Sequence, residues 1–291
     1  MTGCILCPRA CGAVRTPESG NGFCQMGTDP VVARVAPHFW EEPPLSGTRG
    51  AGAIFFSGCT LRCVYCQNGI ISQQGLGKRI SVRELADLFR RLTDMGVHNI
   101  DLVTPTHFTP AILEALAIYR PPVPIVWNTG GYEEISTLKM LEGAVDIYLP
   151  DLKHFSAAAG ALCAHAPDYF EKASAAIREM VRQTGPCTFD KEGIMTRGTL
   201  IRHLILPGYT TESLALLDWI KEELPEGVWV SLMRQYVPMN GVNISGLNRR
   251  ITDREYRRVR ERMEALDLPG FVQEKSSADA AYTPPFTDNW E

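Results

Sequence analysis

No run of eighteen apolar residues occurs in the chain, so no membrane-spanning helix is expected. Neither sign of charge dominates: 29 Lys and Arg face 33 Asp and Glu, a net charge of −4. That balance excludes a general polyanion binder. The basic residues that do gather, Arg249-Arg250 and Arg254 to Arg262, are interleaved with Glu255, Glu261 and Glu264. They read as the solvated face of a helix, so no nucleic acid is expected as partner. There is no internal repeat and no low-complexity tract. The segment from Met1 to Cys11 has no apolar signal core, so the expected location is cytoplasmic. What remains is an ordinary globular composition: 45% of 291 residues are hydrophobic, enough for one large core.

Cysteine is abundant: nine residues, seven of them in two tight groups. In a chain without a secretion signal such grouping points to metal rather than disulfides. The first informative group is Cys59, Cys63 and Cys66, spaced C-x3-C-x2-C between Gly58 and Asn68. A structural zinc site wants four ligands, and so does an ordinary iron–sulfur cluster. Three thiolates with no fourth nearby hold three irons of a [4Fe–4S] cube and leave the fourth open for chemistry. The alternatives are packing cysteines or partners in a zinc site. The second group is Cys4, Cys7, Cys11 and Cys24, a complete set of four in 21 residues, with Gly12, Gly20 and Gly22 supplying turns. Structural zinc and an auxiliary [4Fe–4S] cluster both suit it. Cys163 and Cys187 stand outside both groups and read as packing residues.

Residues 1–50 are rich in Cys, Gly and Pro and form a metal-binding N-terminal extension, in which 31–35 is a short strand. From there apolar strands alternate with helices. Strands are expected at 53–56, 99–104, 124–128, 144–149, 199–206 and 228–233. Helices are expected at 82–95, 109–118, 133–141, 167–183, 211–224 and 252–266. Ser81 caps the first of them, with Glu84 at the capping-box position. Strands apolar throughout imply a parallel sheet buried on both faces. A barrel and a doubly wound sheet both satisfy that pattern. The main unit therefore spans 51–266, and 267–291, with Pro269, Gly270, Pro284 and Pro285, is an irregular tail.

The ends of these strands are polar or glycine-rich. They carry Cys59, Cys63 and Cys66, then Thr104-Pro105-Thr106-His107, then Asn128-Thr129-Gly130-Gly131. Asp151-Leu152-Lys153-His154, Arg202-His203 and Arg234-Gln235-Tyr236 follow. Six polar ends on one face read as a ligand site. His107 is the histidine most directly placed to reach it, and His154 and His203 also lie close. Gln235 and Tyr236 are cavity-lining candidates.

C-x3-C-x-aromatic-C, with Tyr65 as the aromatic, resembles the signature of the radical S-adenosylmethionine (radical SAM) superfamily. The resemblance implies an α/β fold, a partial TIM barrel of six strand–helix units. It implies that Cys59, Cys63 and Cys66 hold a [4Fe–4S] cluster whose open iron is chelated by SAM. Reduction of SAM there yields a 5′-deoxyadenosyl radical that abstracts hydrogen. On this likeness Lys153 and Arg202 suit the SAM carboxylate, while Thr104, Thr106, His107, Asn128 and Gln235 suit its polar groups. Tyr65 and Asn68 belong to the loop that meets the cofactor.

A closer likeness is to the activating enzymes of glycyl radical enzymes, typified by pyruvate formate-lyase activating enzyme. Asp151-Leu152-Lys153 matches their D-L-K motif, Asn128-Thr129-Gly130-Gly131 parallels D-T-x-G, and Arg202 with Leu206-Pro207-Gly208 parallels R-x-x-x-x-P-G. Carried over, Thr129, Asp151, Lys153 and Arg202 bind SAM, with a monovalent cation near Asp151. The chain departs in having Asn128 for the family's Asp, in lacking the Gly-Gly-Glu segment after the second strand, and in its cysteine-rich lead-in. It is similar in these respects to the activating enzyme-related iron–sulfur proteins. The likeness implies an oxygen-sensitive enzyme fed by flavodoxin or ferredoxin, acting on a glycyl radical enzyme or a peptide. Radical modification of a small molecule is the alternative within that chemistry; a non-catalytic iron–sulfur electron carrier is the alternative outside it.

Overall fold

The computed structural model describes residues 3–239, 242, 244–273 and 286. Ten strands form one mixed sheet. They are β1 Val31–His38, β2 Ala51–Phe56, β3 Lys78–Arg79, β4 Ile100–Val103 and β5 Ile125–Thr129, then β6 Ile147–Pro150, β7 Thr188–Phe189, β8 Met195–Leu204, β9 Trp229–Met233 and β10 Gly270–Val272. The order is β10-β9-β8-β6-β5-β4-β2-β1-β3, with β7 paired to β8 alone. From β2 to β10 every pair along that path is parallel, and β1 runs antiparallel to β2. Among the parallel strands β2 to β10 the order never reverses; only the short antiparallel edge strand β3 lies out of sequence, beyond β1. A doubly wound sheet turns back at a switch point, so this sheet is wound one way, as in a barrel that stays open.

Helices fill the crossovers. α1 Pro43–Ser46 and α2 Gly69–Ser72 are single turns. α3 Val82–Asp94 begins at the expected capping box: Ser81 Oγ accepts the Glu84 amide while Glu84 returns to the Ser81 amide. Its buried Leu85, Leu88, Phe89 and Leu92 form one apolar stripe. α4 Thr109–Ile118, α5 Ile135–Met140, α6 Ala157–Ala164, α7 Tyr169–Thr184 and α8 Thr210–Glu223 follow, and α9 Asp253–Ala265 closes the series behind a second capping box, Thr252 with Glu255.

The six anticipated strand–helix units are all present, and the partial-barrel fold class with them. Strands β2, β4, β5 and β6 are buried at every residue because helices cover their outer faces. Two features differ from the sequence reading. Residues 31–38 form a full strand of the main sheet, and 270–272 add a parallel strand to β9 where an irregular tail was expected. Gly270-Phe271-Val272 is too short to show any period, and only the exposed edge of β9 makes it a strand. Beyond residue 273 the tail, apart from 286, lies outside the described residues. No helix among the described residues is long and apolar enough to cross a membrane.

Candidate functional site

At the C-terminal ends of the parallel strands lies a cavity of about 980 Å³. The loop that follows β2 forms one wall. It turns on Gly58 (φ +81°) and on Arg62 (φ +53°), both left-handed. Gly58 is required there for a second reason: a Cβ would sit 2.4 Å from Met26 Cγ and 2.9 Å from the Cys24 carbonyl. The loop presents Cys59, Cys63 and Cys66 to the cavity, with Tyr65 and Asn68. The Leu61 amide donates to Cys59 Sγ at 3.3 Å, and Ser72 Oγ to Cys66 Sγ at 3.4 Å. Burial pushes the Cys63 and Cys66 thiols up; Lys153 opposes this, while neighbouring cysteines add to it. Such thiols become thiolates only against a strongly positive centre, which an iron–sulfur cluster supplies.

Opposite the cysteines stands a charge network. Arg202 on β8 donates from Nε to Asp151 Oδ1 at 3.0 Å, from Nη1 to Glu41 Oε2 at 3.1 Å and from Nη2 to Asn128 Oδ1 at 2.5 Å. Lys153 Nζ bonds Asp151 Oδ2 at 2.5 Å. Burial alone would raise Asp151, but Arg202 and Lys153 outweigh it and hold the carboxyl low. Burial raises Glu41, Glu42 and Asp101 despite Arg202. Arg202 is therefore committed to three protein acceptors rather than held in reserve for a ligand carboxylate. Glu41, Glu42 and Asp101 are not site candidates on the sequence alone, although the run Glu41-Glu42-Pro43-Pro44-Leu45-Ser46-Gly47 shares in the likeness to the activating enzyme-related proteins. Glu41 and Glu42 lie in the segment between β1 and β2, far from the strand-end motifs, and only chain tracing brings them over the barrel mouth.

Thr104, Thr106, Asn128, Thr129, Asp151, Lys153, Arg202 and Gln235 all line the cavity, as does Tyr236. Thr104 is left-handed (φ +60°), an outlier for a β-branched residue and a mark of a functional site. Thr106 and Thr129 donate their hydroxyls to Glu133, Thr106 at 2.6 Å. Burial pushes Glu133 up to about 7, against the two threonine bonds and the Trp127 indole, although neither Trp127 Nε1 nor Glu133 Oε2 completes a hydrogen bond. Glu133 is thus a buried hub between the ends of β4 and β5, read from the sequence only as a helix start.

His107 does not line the cavity. Its Nε2 meets the Ser57 carbonyl at 2.7 Å, bracing the entry to the cysteine loop, and burial lowers it to about 4. His154 meets Tyr65 Oη at 3.2 Å, and His203 bridges the Leu152 carbonyl and Ser213 Oγ. All three rings are buried and outside the cavity lining, and a strand-end position says nothing about the direction in which the side chain leaves. Cys163 and Cys187 are likewise packed away: Cys163 is buried and Cys187 Sγ meets the Thr199 carbonyl. Cys4, Cys7, Cys11 and Cys24 lie outside the cavity lining. None of the nine cysteines, all of which are described, forms a disulfide. Among the described residues no three His, Cys, Asp or Glu side chains come together closely enough to grip a single metal ion.

The model of the radical SAM superfamily matches residues 53–220, more than half of the chain, and the chain belongs to that superfamily. Membership implies a [4Fe–4S] cluster and SAM, and the three cavity-facing thiols fit the cluster. The uncharacterized protein MJ0674 of Methanocaldococcus jannaschii is 28% identical over 278 residues, covering 91% of this chain and 75% of its own length. The uncharacterized protein MJ0808 of the same organism is 25% identical over 246 residues, 76% of this chain and 66% of its own. Two solved structures share the fold. A radical SAM methyltransferase from Sphaerobacter thermophilus superposes with a TM-score of 0.54 at 16% identity, over 77% of this chain and 66% of that one. Streptococcus suis SuiB bound to precursor peptide SuiA superposes with a TM-score of 0.50 at 12% identity, over 75% and 47%. The chain thus spans less than two thirds of the length of either solved structure.

Proposed function

We propose that this chain cleaves SAM reductively and directs the resulting hydrogen abstraction at a protein or peptide, with glycyl radical installation as the specific reaction. The observation that carries the reading is one cavity lined jointly by Cys59, Cys63 and Cys66 and by the strand-end groups Thr104, Asn128, Thr129, Asp151, Lys153 and Arg202. Bound there, the cluster and SAM together supply the electron and the 5′-deoxyadenosyl radical; the chain supplies position and electrostatics. Cys59, Cys63 and Cys66 would hold the cluster. The Asp151–Arg202–Asn128 network fixes the floor opposite them, and Asp151 keeps the Lys153 ammonium charged. The family likeness of Asp151-Leu152-Lys153 supports SAM contact on this floor and the glycyl radical reading, with Arg202 positioning Asp151. A volume near 980 Å³ is at the upper end of ligand pockets and leaves room beyond the cofactor. Phe39 and Trp40 line the same cavity while 53% and 64% exposed, a rim suited to an extended partner. Turnover requires an external one-electron donor, of flavodoxin or ferredoxin type.

The test is anaerobic reconstitution with iron and sulfide, followed by SAM and dithionite. Formation of 5′-deoxyadenosine, lost in Cys63→Ala, supports the enzyme; none in the wild type sinks it. A glycine-centred radical doublet in electron paramagnetic resonance of a co-incubated glycyl radical enzyme supports the specific reaction. Modification of a small molecule with no protein radical transfers the chemistry to the other substrate class.

A further inference from the structure

We propose that Cys4, Cys7, Cys11 and Cys24 hold a second iron–sulfur cluster, seated against the outside of the cysteine loop and placed to pass an electron to the first. The proposal rests on the reading that the loop itself carries a cluster.

Residues 3–29 have almost no core of their own. Ala13 is the single buried apolar residue among them, and Ile5 and Val14 are 61% and 65% exposed. A segment of that size is held in shape by staples rather than by burial. Its backbone closes tightly around the cysteines: Cys4 N donates to Ala13 O at 3.0 Å, Gly12 N to Cys4 O at 3.1 Å, and Ala10 N to Cys7 O at 2.9 Å. Ala10, Gly12 and Gln25 are left-handed, flanking Cys11 and Cys24. Geometry brings the segments that carry the thiols together: Cys11 Sγ lies 2.9 Å from the point where a Gly22 Cβ would stand, two residues before Cys24, and Cys4 is bonded to the backbone just after Cys11. A cation faces them, since Arg15 Nη1 sits 3.9 Å from Cys4 Sγ and its Nε donates to the Met26 carbonyl at 3.0 Å, two residues after Cys24. Packing alone does not account for four half-buried or exposed thiols around an absent core, and none is in a disulfide.

Redox chemistry selects the kind of metal centre. Four thiolates satisfy zinc and a [4Fe–4S] cluster alike. Zinc has no redox chemistry, so only the cluster can pass an electron to the loop.

Place then indicates use. No residue of 3–29 lines the cavity, so this centre does not anchor the substrate. It does touch the cysteine loop: the Cys24 carbonyl lies 2.9 Å from the point where a Gly58 Cβ would stand, and Arg9 Nε donates to Thr60 O at 2.8 Å. One electron enters from an external flavodoxin- or ferredoxin-type donor and one leaves to the loop cluster; no covalent bond changes.

The test counts iron and acid-labile sulfide in the anaerobically reconstituted full chain, with Mössbauer spectra. Wild type should hold about eight irons, as two cubanes require, and the triple variant Cys59→Ala, Cys63→Ala, Cys66→Ala about four. A triple variant with no iron, or with one zinc in place of the cluster, overturns the proposal. Equal iron in wild type and triple variant would leave this centre standing and remove the loop cluster instead. The triple variant leaves the N-terminal cysteines intact, so its iron count does not depend on whether a Cys7→Ala, Cys11→Ala variant folds. For the relay, that double variant should lose at least tenfold in 5′-deoxyadenosine formation with reduced flavodoxin while keeping it with dithionite. An unchanged flavodoxin-driven rate overturns the relay.

Discussion

Replacing Arg202 by Met tests how the cavity floor is held. Arg202 and its partners are largely buried: the side chains of Arg202, Asp151 and Glu41 are 15%, 18% and 10% exposed. Removal of one member of a buried ion pair strands the others, at a cost of about 3–5 kcal/mol. Asp151 keeps Lys153, so it is cushioned. Glu41 loses its cation and is left beside Glu42 and Asp151, all acidic. The expected loss is therefore about 3 kcal/mol or more, roughly 5 °C in melting temperature for a chain of this size. Thermal unfolding of the apo protein by circular dichroism measures it. A second change, Glu41→Gln, removes the stranded carboxylate and should restore more than half of the loss, a coupling visible in a double-mutant cycle. The deficit should also depend on pH. A stranded carboxylate has its folded pKa above its unfolded one, so its burden is absent at low pH and grows as pH rises through the folded value. Arg202→Met should thus be closer to wild type at pH 5 than at pH 8. A loss below about 1 kcal/mol, or no recovery with Glu41→Gln, would refute the reasoning.

Three more changes probe the surrounding shell. Glu133 sits near 7 in the folded chain against an ordinary 4.5, so its contribution to stability is full below 4.5 and is lost as pH rises through about 7. Glu133→Gln should flatten stability between pH 5 and 8.5, where wild type loses up to about 3 kcal/mol; equal slopes in denaturant titrations contradict this. Gly58→Ala meets both a left-handed backbone and the Met26–Cys24 contact, so reconstituted iron content should fall by half or more, with wild-type iron as the contrary result. Tyr169 Oη accepts from the Lys153 amide and contacts the Gly130 and Asp151 carbonyls. Tyr169→Phe should cost about 1–3 kcal/mol in denaturant unfolding and is refuted by a neutral effect.

The repeating units of this barrel were legible because each signal was local. Apolar strands such as Ile125–Thr129 and capped helices such as Val82–Asp94 announce themselves within a dozen residues. The three clustered cysteines were legible for the same reason. Glu133 was not, because one acid in the pair Glu133-Glu134 is buried and the other is not, and only packing against Thr106 and Thr129 distinguishes them. His107 follows β4 as a site residue would, yet its ring turns back to Ser57. β10 was invisible because three residues carry no periodicity. Glu41 depends on a partner 161 positions away, a separation no local pattern encodes.

The central claim is that the thiols of the loop after β2 hold a cluster with one iron left for SAM. Electron paramagnetic resonance of the dithionite-reduced protein, frozen with and without SAM, tests it most directly. The account predicts a signal whose g-values shift when SAM is added, and that disappears in Cys63→Ala. A reduced cluster whose spectrum is indifferent to SAM would contradict it.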